Sequence, residues 1–122
     1  MAMSIYYTAK RTYKMTEEET ADISAVADRY IREFPFDFKH EDFCLYNEPF
    51  DEEDTVLEGA TAISRNKFYD VILYWLKCLT DITRILHGCE WDVRFEDVDL
   101  IWEEENGWRL PTDEEMKKRK QR

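Results

Sequence analysis

An α+β fold, a two-layer sandwich in the ferredoxin-like order β-α-β-β-α-β with a C-terminal β-hairpin extension, is what this sequence predicts. Three observations carry that expectation. Two segments, Thr16 to Phe34 and Asn66 to His87, repeat apolar residues every third or fourth position, the period of an amphipathic helix. Short runs alternating apolar and polar residues precede, separate and follow them, as half-buried strands do. Near the end stands Asn106–Gly107, a pair preferred in tight hairpins. In this order an antiparallel sheet carries both helices on one face.

The first strand is read from Ile5 to Tyr13, with Ile5, Tyr7, Ala9 and Tyr13 on one parity and Lys10, Thr12 and Lys14 on the other. Thr16 then offers an N-cap hydroxyl, and Glu19 completes a capping box. Ile23, Val26, Ala27, Tyr30, Ile31 and Phe34 make the apolar stripe of the first helix, which Pro35 ends. Phe43 to Tyr46 is a short strand, Asn47 to Asp54 an acidic loop around Pro49, and Thr55 to Ser64 a third strand weakened by Gly59.

In the second helix Phe68, Ile72, Trp75, Leu79, Ile82 and Leu86 share one face, which Val71, Leu76 and Cys78 widen, and Gly88 is placed to cap the end. Trp91, Val93 and Phe95 alternate with Asp92, Arg94 and Glu96. Val98, Leu100 and Trp102 continue on the opposite parity, so a bulge or a turn falls at Glu96–Asp97. Ile101–Glu105 is expected to pair with Trp108–Leu110 across Asn106–Gly107. Residues 1–112 make a single α+β domain on this reading, and 113–122 a charged, flexible tail or frayed helix.

The 122 residues suit one domain, and 43% hydrophobic with 15% aromatic residues are enough to build its core. Charge is the unusual property: 28 acidic against 17 basic residues give a net −11. Eight of the 17 basic residues sit near the two ends, at Lys10, Arg11 and Lys14 and from Lys117 onward, so the body between is more acidic still. Such a field repels nucleic acid and anionic membrane and draws basic protein surfaces, although solubility alone also accounts for an acidic surplus.

Chemistry-bearing patterns are sparse. Cys44, Cys78 and Cys89 form no disulfide framework, which favours a reducing, cytoplasmic setting. The longest apolar run, Val71 to Leu76, falls far short of the ~20 residues that span a bilayer. His40 with Cys44 and His87 with Cys89 match no zinc-ligand spacing, and no metal or other cofactor is expected. Cys89 beside His87 lacks the electropositive setting that a reactive thiolate needs. Asp97 and Asp99 point the same way in a strand, but in so acidic a chain a solvated sheet edge explains them better than a Mg²⁺ site. Three glycines supply no phosphate-binding loop.

What is left is surface. Tyr6, Leu73, Tyr74 and Trp108 fall on parities or helical angles that point away from the expected core. Aromatic groups ringed by carboxylates suit a protein interface. The sequence therefore predicts a small acidic binding module without catalytic residues, an inhibitor or an immunity or anti-defence protein that blocks a basic, nucleic-acid-handling partner. Its expected contact groups are Asp51, Glu52, Glu53, Asp54, Asp92, Glu96, Asp97 and Asp99, with Tyr74 and Trp108 as anchors. Two other readings are a metabolite-binding protein or enzyme with His87, Cys89, Asp97 and Asp99 around a pocket, and a homodimeric structural subunit.

Overall fold

A computed structural model of the chain describes residues 3–37, 42–46, 50, 52–63 and 67–120, with side chains as far as Lys117. Asp51, His40, Pro49 and the expected helix start at Asn66 lie outside the described residues. The fold is mixed α+β. Strand β1 (Met3–Lys10) is followed by helix α1 (Glu17–Arg32), strands β2 (Cys44–Leu45) and β3 (Thr55–Ile63), and helix α2 (Phe68–Ile85). Strands β4 (Glu90–Phe95), β5 (Val98–Asp99), β6 (Ile101–Glu103) and β7 (Gly107–Arg109) come next, and helix α3 (Asp113–Lys120) closes the order. One sheet has the strand order β2-β3-β1-β4-β5, the other is the β6–β7 hairpin, and the described pairings are antiparallel.

Alternation in β1 decides which side of the sheet is covered. Ile5, Tyr7 and Ala9 are buried, while Tyr6 is exposed and Ser4, Thr8 and Lys10 are half-buried. Helices α1 and α2 pack against each other, and Ile23 and Ala27 of one join Val71, Ile72, Trp75, Leu76, Leu79 and Ile82 of the other in the same core. Each Val, Ile or Leu side chain among these, fully withdrawn from water, contributes about 2 kcal/mol before the cost of ordering the chain.

Helix α1 starts as its capping box dictates. Thr16 Oγ1 accepts from the Glu19 N–H at 3.0 Å, and Glu19 Oε1 accepts from the Thr16 N–H at 2.8 Å. Strand β1 stops at Lys10, three residues before the expected end, and Arg11, next on the buried parity, points inward. The Arg11 side chain is only 1% exposed, and Tyr13 is an exposed loop residue rather than a core one.

Gly59 strengthens β3 where a weak point was expected. A Cβ there would lie 2.1 Å from the Cys44 carbonyl oxygen and 2.5 Å from the Tyr7 ring. The absent side chain lets Tyr7 lie flat over β3, stack on Phe43 at 4.7 Å and donate to the Cys44 carbonyl at 2.5 Å.

Helix α2 ends at Ile85, and the N–H of Leu86 closes it on the Ile82 carbonyl at 3.1 Å, so Gly88 lies in the loop beyond and does not cap it. The change of parity after β4 is a turn at Glu96–Asp97 that pairs Phe95 with Val98. Glu96, at φ +53°, extends the ladder by donating to the Ser4 carbonyl and accepting from the Ser4 N–H.

The C-terminal hairpin forms where expected but with a longer turn. Glu103 pairs with Gly107, leaving Glu104, Glu105 and Asn106 between the strands in place of a two-residue Asn106–Gly107 turn. Gly107, at φ +84°, belongs to β7 and is pressed onto α2: a Cβ there would lie 2.3 Å from the Thr80 side chain. The expected frayed tail is a helix, α3. Thr112 and Glu115 form a second capping box, and Glu115 also accepts from Arg109 at 2.8 Å.

Candidate functional site

With α1 and α2 on one side of the five-stranded sheet, no other described helix or strand packs on its opposite face. Register defines its rows. Cys44, Ala60, Tyr6, Arg94 and Asp99 lie side by side across the sheet, and Glu58, Thr8 and Asp92 form the next row. Lys10 follows, between Thr55 and Glu90. Small side chains, Ala60, Ala62, Ser4 and Thr8, share this face with Tyr6, which stands on the central strand beside Arg94.

At one end of this face is a groove of about 450 Å³ whose charged lining is Glu52, Glu58, Glu90, Asp92 and Lys10. Four carboxylates thus face one ammonium group. Lys10 is paired with Glu52, whose carboxylate is the main cause of its raised pKa. Glu58, Glu90 and Asp92 are left to set the sign of the groove. Asp92 and Arg94 are 3.7 Å apart, both well exposed, a spacing that contributes little.

The structure brings together two of the residues singled out from sequence, Glu52 and Asp92, and scatters the rest. Glu53 and Asp54 are exposed in the turn before β3, where the Asp54 carbonyl accepts from the Arg11 N–H at 2.9 Å. Glu96 is committed to Ser4, Asp97 is exposed at the tip of the β4–β5 turn, and Asp99 lies across from Arg94.

Tyr74 and Trp108 do not point away from the protein. Tyr74 donates to the Tyr30 carbonyl at 2.5 Å and meets Phe34 edge-on. Trp108 lies on α2 with its indole N–H bonded to Thr83 at 2.9 Å. Tyr6 and Leu73 are exposed, as their parity and helical angle imply.

Sequence reasoning missed Glu58, Glu90 and Arg11. Glu58 and Glu90 needed the strand register to be placed beside Asp92. Arg11 could have been found, since it continues the buried parity of Ile5, Tyr7 and Ala9. It donates to Glu19 from both terminal nitrogens, at 2.6 and 3.1 Å, and to the carbonyls of Tyr13, Lys14 and His87 at 2.9 to 3.1 Å. One buried guanidinium thereby ties β1, the start of α1 and the α2–β4 loop. Arg11 in turn holds the Glu19 carboxyl at about 2, well below its ordinary value.

Of the thiols, Cys78 is buried for packing, Cys89 is half-buried and Cys44 is exposed. Burial pushes Cys78 up to about 12 and raises Cys89 as well, so neither favours a thiolate. Cys89 Sγ lies 3.9 Å from the His87 carbonyl oxygen, its hydrogen-bond partner in that residue. Among the described residues no cluster of three His, Cys, Asp or Glu side chains is arranged to hold a metal ion, and no helix is long and apolar enough to cross a membrane. No family model, curated protein or solved structure matches the chain.

Proposed function

We propose that this protein is a binding module that docks a basic protein surface through the acidic groove of its open sheet face. The observation that carries the reading is the lining of that groove, where Glu52, Glu58, Glu90 and Asp92 surround a single lysine already paired to one of them. Carboxylates on a fixed sheet attract a cationic partner over a Debye length of about 8 Å at physiological salt and orient it during encounter. Net charge of −11 gives the whole chain the same preference and opposes direct contact with nucleic acid.

A partner whose cationic surface serves nucleic-acid phosphates would have that surface occupied, which is inhibition of the immunity or anti-defence kind. The strand order β2-β3-β1-β4 with intervening helices supports a ferredoxin-like layout, extended by β5 and the hairpin. Three free cysteines support a reducing compartment such as the cytoplasm.

The test is capture from source-cell lysate at low salt and at about 0.5 M salt, where the Debye length falls to roughly 4 Å. Wild type is run beside the triple variant Glu58→Gln, Glu90→Gln, Asp92→Asn. The reading expects one stoichiometric basic protein that salt and the triple variant both weaken. Equal capture by the variant refutes the groove as the docking surface.

A further inference from the structure

Three of the chain's four tryptophans meet in one pocket of about 530 Å³, between the end of α2, the loop into β4 and the β6–β7 hairpin. Trp108 meets Trp102 edge-to-face at 5.3 Å and Trp91 at 6.4 Å, with the rings inclined by 60° and 62°. Trp108 is pinned twice to α2, its backbone N–H to Thr80 and its indole N–H to Thr83. The indole N–H of Trp102 is held by the Glu104 carboxylate at 3.1 Å. Both of these N–H groups are spent inside the protein, so what Trp102 and Trp108 can offer a ligand is their π faces.

We infer that this pocket, walled by Trp91, Trp102 and Trp108, is a binding site for a methylated ammonium group. Indole faces carry the strongest ring quadrupole among side chains and attract cations. The cluster already does so once: the Arg84 guanidinium, anchored on the carbonyls of Glu104 and Glu105, lies 5.8 Å from the Trp102 ring centre. The Glu104 carboxylate and the Arg84 guanidinium both line the pocket and offset each other, and the chain's net −11 favours a cation over an anion there.

Methylation is argued from the remaining polar groups. The Thr83 hydroxyl donates to the Leu79 carbonyl and accepts from Trp108, and the Cys89 thiol donates to the His87 carbonyl. A primary ammonium entering the pocket would give up strongly bound water, and the Glu104 carboxylate that could replace it already holds the Trp102 indole N–H. A trimethylammonium head, weakly hydrated and coated in methyl groups, loses little water and fits against three ring faces. Trp91 also lines the acidic groove, so the two features adjoin, but this inference does not depend on the docking reading.

The test is titration of the ¹⁵N-labelled protein with choline, reading the three indole N–H signals, beside its neutral carbon isostere 3,3-dimethylbutan-1-ol. The expected result is saturable shifts with choline, at least about fivefold weaker binding of the isostere, and weaker choline binding in Glu104→Gln. Trp102→Leu is expected to abolish binding; the isostere comparison on wild type stands even if that variant unfolds. Equal affinity for the isostere, or no saturable shift at tens of millimolar choline, overturns the inference. Nα-acetyl-trimethyllysine amide forms a second arm. If it binds tighter than choline, the natural source is a protein side chain, and if weaker, a small free amine; either ranking sustains the site.

Discussion

Arg11 Nη2 lies 2.6 Å from Glu19 Oε1, and the Arg11 side chain is 1% exposed while that of Glu19 is 19% exposed. Glu19 is also the residue whose carboxylate caps α1 through Thr16. Removing the guanidinium strands a carboxylate and leaves the carbonyls of Tyr13, Lys14 and His87 without their donor. Arg11→Met is expected to cost about 3 kcal/mol, read from urea unfolding at pH 7. Arg11→Lys, which keeps the charge but not the fork, should fall between it and wild type. An Arg11→Met protein as stable as wild type would show that the hub is ornamental.

Acid sensitivity follows from the same pair. The Glu19 carboxyl sits at about 2 in the folded chain, held down first by Arg11 and then by the Thr16 N–H, against an ordinary value of 4.5. A depressed folded-state value means that the pair's stabilisation is complete above the ordinary value and is lost as pH falls toward about 2. Glu19→Gln should therefore be less stable than wild type at pH 7, and its urea midpoint should fall less steeply between pH 5 and pH 2. Parallel profiles for the two proteins would contradict the assignment.

The hairpin's attachment to α2 rests on Gly107. Alanine there meets Thr80 at 2.3 Å and must also hold a φ of +84°. Gly107→Ala is expected to destabilise by about 2 kcal/mol and to shift the indole signals of Trp102 and Trp108 together as the hairpin lifts. Unchanged signals would place the docking elsewhere.

Helices and strands were legible in the sequence because burial imposes a period, and Thr16, Glu19 and the stripe from Ile23 to Phe34 declare theirs locally. Gly59 was misread as a weak point because its value lies in Tyr7, a residue on another strand. The Asn106–Gly107 turn was read one residue short because the positive φ of Gly107 serves its packing on Thr80 as well as the reversal. The groove was half legible: Glu52 and Asp92 were named, but Glu58 and Glu90 join them only through the pairings Thr8–Glu58, Thr8–Asp92 and Lys10–Glu90. Tyr74 and Trp108 were assigned to the surface because helical angle and parity cannot foresee the neighbours Tyr30 and Thr83.

The central claim is that a basic partner docks on the groove, and its most direct test compares two ends of the open face by association rate. Once a captured partner is purified, its binding is timed against wild type, against the groove variant Glu58→Gln, Glu90→Gln, Asp92→Asn, and against Asp97→Asn, Asp99→Asn at the far turn. The account predicts a fall in association rate of about tenfold or more for the groove variant at low salt, a much smaller change for the turn variant, and convergence of all three at high salt. A groove variant that associates as fast as wild type, or a turn variant that alone is slowed, would contradict it.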